Sequence, residues 1–211
     1  MQMTMQMREI MARAAVIPVL TIERDADAVP IARALCAGGL TVLEVTLRSA
    51  AALPAITAMR KALPQAIVGA GTLTTPEDFE RVAAAGAQFA VTPGLTEELA
   101  VAGRDAGLPL LPGVATASEL LAARAAGFFA LKFFPAEPAG GTAMLSAFAP
   151  VFSDVVFCPT GGITRESAPR YLALKNVVCV GGSWVTPAAA VKAGDWAQIE
   201  TLARDASTLK S

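Results

Sequence analysis

Lys132 stands in the run Phe128-Phe-Ala-Leu-Lys-Phe-Phe-Pro135, which is otherwise wholly apolar. A charged amine there needs a reason, because lysine is seldom buried without a partner. If the run is a β-strand, alternation puts Phe128, Ala130, Lys132 and Phe134 on one face. With Leu131 and Phe133 packed against helices, Lys132 then points into the interior. Desolvation disfavours the ammonium and leaves the neutral amine that attack on a carbonyl requires. The same rule puts Val42, Glu44, Thr46 and Arg48 on one face of an earlier run. Arg48 is suited to bidentate binding of a substrate carboxylate. Glu44 is suited to moving protons to and from substrate oxygen and carbon, directly or through a water. The alternative is structural: a Glu44–Arg48 or Glu44–Lys132 ion pair that fills the core.

Two glycine pairs, Thr160-Gly161-Gly162 and Gly181-Gly182-Ser183, have the composition of a phosphate cradle. Exposed backbone amides at the start of a helix hold a phosphate dianion without lysine. Tight turns also want glycine, so it is the occurrence of two such pairs at matching places that points to phosphate. Thr72 and Pro93 either line a carboxylate or ketone pocket or end their strands. Phe134 either covers a small apolar group of a substrate or packs in the core. Trp184, Trp196 and Tyr171 read as packing or interface residues.

The elements that must position these residues alternate in type. Short β-branched runs, at Val16–Ile22, Val42–Leu47, Ala66–Ala70, Gln88–Thr92, Pro109–Pro112, Phe128–Phe134, Val155–Pro159 and Val177–Val180, are separated by Ala/Leu-rich stretches of helical period. Helix starts are marked at Thr75-Pro-Glu-Asp78 and by the capping-box pattern Thr116-Ala-Ser-Glu119. Gly38-Gly39, Gly86, Gly107 and Gly127 stand where helices should stop. Eight βα units without a linker predict one domain over residues 1–211, a closed (β/α)8 TIM barrel with an N-terminal helix; an open doubly wound sheet has the same local pattern. In a barrel the chemistry sits at the C-terminal strand ends. Lys132, Glu44 with Arg48, Thr72, Pro93 and both glycine pairs fall there.

Composition narrows the function. With 54% hydrophobic residues, 211 residues are enough for a sizeable core, while a net charge of -1 offers no field for nucleic acid or an anionic membrane. No apolar stretch reaches the roughly 18 residues needed to span a bilayer. The first ten residues do not read as a secretory signal, and Cys36, Cys158 and Cys179 lie in apolar segments without metal-ligand spacing. Reduced thiols in a cytoplasmic protein follow. The chain has no histidine. That removes the commonest metal ligand and the commonest neutral-pH base, and proton chemistry falls to Glu, Asp, Lys or Tyr.

Taken together, Glu44-Val-Thr-Leu-Arg48, Val68-Gly-Ala-Gly-Thr72, Pro93-Gly-Leu-Thr96, Lys132-Phe-Phe-Pro-Ala-Glu137, Cys158-Pro-Thr-Gly-Gly162 and Gly181-Gly-Ser-Trp184 resemble the class I 2-dehydro-3-deoxy-phosphogluconate (KDPG) aldolases, in matching order from about Val16 nearly to the C-terminus. The resemblance implies a barrel that assembles as a homotrimer and acts on a small phosphorylated keto acid with no metal or organic cofactor. It implies that Lys132 is the Schiff-base lysine and Glu44 the proton carrier. Arg48, Thr72 and Pro93 then serve the carboxylate or ketone pocket, Phe134 packs on the pyruvyl unit, and Gly161, Gly162, Gly182 and Ser183 bind phosphate. Thr160 fits the gluconate-type pattern rather than that of relatives acting on the galactonate epimer. The expected reaction is cleavage to pyruvate and glyceraldehyde 3-phosphate, with 4-hydroxy-2-oxoglutarate as a second substrate. Two other readings stay open: a phosphosugar isomerase or epimerase using Glu44 as base, and a phosphate-ligand-binding barrel without turnover.

Overall fold

The computed structural model describes residues 2–210, with side chains from 6 to 209. The strands are β1 Val16–Leu20, β2 Val42–Thr46, β3 Ile67–Gly71, β4 Ala90–Val91, β5 Leu110–Leu111, β6 Gly113–Val114, β7 Ala130–Phe133, β8 Val156–Pro159 and β9 Val180–Gly182. The helices are α1 Gln2–Ala12, α2 Asp25–Ala37, α3 Ala52–Ala62, α4 Pro76–Ala84, α5 Glu97–Asp105, α6 Ala117–Ala125, α7 Gly141–Phe148, α8 Ala168–Leu172, α9 Ala188–Ala193 and α10 Trp196–Ser207.

The helix signals in the sequence act as expected. Thr116 Oγ1 accepts from the Glu119 N–H at 3.3 Å while the Glu119 carboxylate accepts from the Thr116 N–H at 2.9 Å, a reciprocal cap on α6. Asp78 does the same for α4 through the N–H groups of Thr74 and Thr75. Gly39, Gly86, Gly107 and Gly127 all have φ between 66 and 95°, the left-handed conformation that closes a helix.

All strand pairs are parallel, and the architecture is an α/β fold on a curled parallel sheet. Six strands run in the order β5-β4-β3-β2-β1-β9, and a separate three-stranded sheet runs β6-β7-β8. The fifth expected strand is divided at Pro112, which has no N–H to give to a ladder. The expected eighth strand, Val177–Val180, is corrected to β9, three residues that pair with β1 at Val16–Val180, Ile17–Gly181 and Pro18–Gly182. Gly181 and Gly182 are therefore ladder residues rather than members of a loop after the strand. Isolated bridges Phe157–Val177 and Thr160–Gly181 link β8 to this segment.

Side-chain alternation sorts the strands into two faces. Leu43, Val45, Leu131 and Phe133 join the apolar cluster beneath the helices, where Phe133 meets Phe148 and Phe157 edge-on at 6.3 and 6.5 Å. Such ring pairs add about 0.5–1.5 kcal/mol beyond area burial. Val42, Ala130, Cys158, Cys179, Ile17, Phe89 and Leu111 form a second cluster with Met7 and Met11 of α1. The N-terminal helix thus supplies apolar side chains to an interior shared by strands of both sheets. Phe128 lies before β7 and belongs to the helix-side cluster, so it does not share the Lys132 face.

Candidate active site

Lys132 and Glu44 meet in this interior. Lys132 Nζ lies 3.5 Å from Glu44 Oε1, and the two side chains are 6% and 4% exposed. Each is held by an element whose other residues explain its direction: Leu131 and Phe133 bury the opposite face of β7, Leu43 and Val45 that of β2. The amine also sits 5.0 Å from the Phe134 ring centroid, within cation–π range. Of the two structural pairs that the sequence left open, it is Glu44–Lys132 that forms.

Space for Glu44 comes from the neighbouring strand. In the β2–β3 register Glu44 faces Gly69 and Thr46 faces Gly71. A side-chain carbon on Gly71 would fall 2.0 Å from Glu44 Oε1, and one on Gly69 would fall 2.4 Å from the Phe89 ring. These glycines make room for neighbouring side chains. The same holds on β9, where a carbon on Gly181 would meet Thr160 Oγ1 at 2.2 Å and one on Gly182 would meet the Trp184 ring at 1.8 Å.

The other expected residues lie at or just beyond strand ends. Alternation does not reach Arg48, because β2 ends at Thr46; Arg48 is exposed on the turn beyond, and makes no ion pair or hydrogen bond among the described residues. The Leu47 N–H donates to the Gly71 carbonyl at 2.9 Å, which brings that turn beside Thr72. Thr72 has φ 64°, the one left-handed non-glycine among the described residues, and a β-branched side chain there is strained. Thr46, not expected as a site residue, is wholly buried and donates to the Leu20 carbonyl at 2.9 Å, anchoring the end of β2 to β1. Its place on the Glu44 face was the signal.

Pro93 is exposed beyond β4, and its carbonyl lies against Gly113, where a side-chain carbon would come within 2.2 Å. Phe134 is half-buried. Both line a cavity of about 350 Å³ with Thr74, Gly94, Gly113 and Glu119. Pro93 and Gly94 follow β4 and Phe134 follows β7, while Gly113 begins β6 and Glu119 lies in the first turn of α6. Thr160 is buried, with Gly161 and Gly162 at φ 106° and 80° after β8. Gly161 packs against Phe134, whose ring would be 3.3 Å from a side-chain carbon there. Gly182 is buried and Ser183 exposed. Ser183 borders a second cavity of about 580 Å³ between the β1–α2 and β9–α9 connections. The structure therefore brings together Lys132, Glu44 and Phe134, sets Gly161 against the Phe134 ring and Pro93 in the cavity that this ring lines, and places Arg48 and Thr72 just beyond the ends of β2 and β3 and Ser183 beside a different cavity. Among the described residues no group of three or more Cys, Asp or Glu side chains is arranged to hold a metal ion.

A buried lysine paired with one carboxylate on the interior strand faces of a parallel α/β fold is the apparatus of a Schiff-base, class I aldolase. The chain belongs to the KDPG and KHG aldolase family, whose model matches residues 7–202. It is thus an aldolase, a carbon–carbon lyase. Over 197 residues it is 51% identical to the KHG/KDPG aldolase of Escherichia coli, covering 93% of this chain and 92% of that one. The crystal structure of KDPG aldolase from Legionella pneumophila, with pyruvate captured at low pH as a covalent carbinolamine intermediate, superposes with a TM-score of 0.93 at 47% identity, covering 95% of this chain and 98% of that one. The 2-keto-3-deoxy-6-phosphogluconate aldolase of Zymomonas mobilis with 3-phosphoglycerate gives 0.90 at 49% identity, covering 96% and 95%. Among the described residues no helix is long and apolar enough to cross a membrane.

Proposed function

We propose that the chain cleaves 2-dehydro-3-deoxy-6-phosphogluconate to pyruvate and glyceraldehyde 3-phosphate, and 4-hydroxy-2-oxoglutarate to pyruvate and glyoxylate, through a Schiff base on Lys132. The observation that carries this reading is the Lys132–Glu44 pair, 3.5 Å apart and nearly free of solvent, beside the half-buried ring of Phe134.

The neutral Lys132 amine attacks the C2 ketone to give a carbinolamine, the species in which the Legionella relative holds pyruvate. Glu44 supplies the proton with which the C2 oxygen leaves as water, and an iminium remains. Its positive charge accepts the electron pair of the breaking C3–C4 bond while Glu44 removes the C4 hydroxyl proton. The aldehyde departs, the enamine is protonated at C3, and water releases pyruvate and Lys132. Arg48 and Thr72 bind the carboxylate together with backbone at Pro93, and Phe134 covers the pyruvyl unit. Thr160 and the amides of Gly161 and Gly162 receive the phosphate with Ser183, beside Gly182, whose own N–H lies in the β9–β1 ladder. The relative from Zymomonas, whose structure contains a phosphorylated three-carbon acid, supports a phosphate site in this fold.

The same reading takes residues 1–211 as one domain in which the two sheets close into a (β/α)8 barrel. The bridges Phe157–Val177 and Thr160–Gly181 and the shared interior cluster support it. It also takes the assembly as a cytoplasmic homotrimer, in line with the resemblance seen in the sequence, and light scattering on the purified protein tests that. For the reaction, incubation with pyruvate followed by borohydride reduction and peptide mapping is the decisive measurement. A pyruvyl adduct on Lys132 establishes the Schiff base. Folded protein without one leaves Lys132–Glu44 as a structural pair and returns the isomerase and binding-protein readings.

A further inference from the structure

Tyr171, the single tyrosine of the chain, is fully buried, yet its hydroxyl reaches the exposed Glu137 beyond β7 and donates to Oε1 at 2.8 Å. Burial, reinforced by this carboxylate, raises the phenol above its ordinary value of 10, so it remains a donor throughout the neutral range. Glu137 belongs to the segment that follows β7, and that segment is laced to the turn after β8. The Ala136 N–H donates to the Thr160 carbonyl at 2.8 Å and the Glu137 N–H to the Gly161 carbonyl at 3.0 Å. The side-chain stem of Glu137 packs on Gly162, where an added carbon would lie 2.9 Å from both its Cβ and its Cγ. Its carboxylate is turned the other way, with Oε2 3.7 Å from where a side-chain carbon on Gly141 would be, and the Tyr171 hydroxyl 3.2 Å from the same point.

An anionic side chain is therefore rooted on the turn assigned to phosphate, with its charge pointed off that turn by one hydrogen bond. A carboxylate free to swing about its own Cβ and Cγ would bring negative charge toward a bound phosphate dianion. We propose that Tyr171 is a positioning residue for substrate phosphate: by holding Glu137 toward Gly141 it keeps the Gly161–Gly162 turn free of competing negative charge. The proposal rests on the assignment of that turn to phosphate in the preceding section.

The test compares kinetics with the phosphorylated substrate and with unphosphorylated 4-hydroxy-2-oxoglutarate for Tyr171→Phe, Glu137→Gln and the double variant, with Ser183→Ala as reference. Tyr171→Phe raises KM for the phosphorylated substrate about 3–10-fold, the usual weight of one ordinary hydrogen bond, and leaves kcat and the unphosphorylated substrate unchanged. Adding Glu137→Gln removes the charge and restores KM. Loss that is equal for both substrates, or that Glu137→Gln does not relieve, overturns the proposal, because a merely structural tyrosine would behave so. If Tyr171→Phe does not fold, Glu137→Gln alone decides: KM for the phosphorylated substrate stays level or falls, and a rise overturns the proposal. Ser183→Ala separates the two layers. Selective loss in Ser183→Ala without selective loss in Tyr171→Phe removes Tyr171 alone; loss of equal size on both substrates for both variants removes the phosphate assignment itself.

Discussion

Gly71 and Glu44 share one volume: a side-chain carbon on Gly71 would lie 2.0 Å from Glu44 Oε1 and 2.7 Å from its Cδ and Cγ. The glycine on β3 is thus what lets a carboxylate stand on the interior face of β2 within 3.5 Å of Lys132. One glycine decides where a proton-transfer group can sit.

Gly71→Ala is therefore expected to push the Glu44 carboxylate off its position. A misplacement near 1 Å costs on the order of 100-fold in kcat, and the crowding costs about 1–3 kcal/mol of stability. Steady-state kinetics and a denaturant titration check both. A folded variant with unaltered kcat would mean that Glu44 is not the proton carrier.

Lys132→Met replaces the amine by an apolar chain of similar length. Cleavage and borohydride trapping are both expected to vanish. The Glu44 carboxylate is then left buried without its partner, and breaking such a pair costs about 3–5 kcal/mol, most of which Glu44→Gln in the same chain should return. Retained cleavage sinks the Schiff-base mechanism; a single variant as stable as the parent shows that the pair is not desolvated in solution.

Thr72 holds a left-handed backbone, φ 64°, that glycine adopts without strain. Thr72→Gly relieves about 1–2 kcal/mol of that strain and loses about 0.5–1 kcal/mol to the freer unfolded chain, so the melting temperature stays level or rises. KM should rise nonetheless, because the hydroxyl assigned to the substrate carboxylate is gone. A marked drop in melting temperature would contradict the strain, and an unaltered KM would remove Thr72 from the pocket.

Much of this site is legible in the sequence because its parts follow local rules. Alternation along β2 and β7 puts Glu44 and Lys132 on interior faces, and the apolar neighbours Leu43, Val45, Leu131 and Phe133 leave no other face for them. Both helix caps and the glycine stops follow from backbone donors and positive φ, which are local as well. What escapes is set by partners distant in the chain. That Gly71, Gly181 and Gly182 are small to admit Glu44, Thr160 and Trp184 depends on strand register. The division of the fifth strand follows from one missing N–H at Pro112, and the shift of the last strand to Val180–Gly182 from its pairing with β1. Alternation also overreaches: it runs Arg48 onto the Glu44 face, whereas the strand stops two residues earlier. The Glu137–Tyr171 bond, 34 residues apart in the chain, has no local signal at all.

The mouth of the site also has a pH dependence with a definite sign. Glu119 lies in the first turn of α6 and lines the cavity shared with Pro93 and Phe134. Its carboxylate accepts from the Ala115 N–H at 2.6 Å and the Thr116 N–H at 2.9 Å, and the Ala115 bond above all holds it below its ordinary value of 4.5. A carboxyl depressed in the folded state stabilises fully above its unfolded value, and that contribution fades as pH falls through the lower folded value. Glu119→Ala is therefore expected to cost about 0.5–1 kcal/mol at neutral pH, a modest figure for an exposed cap, and progressively less once the pH drops below 4.5. Denaturant midpoints of parent and variant at neutral pH and in acid test this. A gap that persists undiminished in acid would assign the loss to packing, and a gap that widens would reverse the sign and show that it is the protonated acid that caps α6.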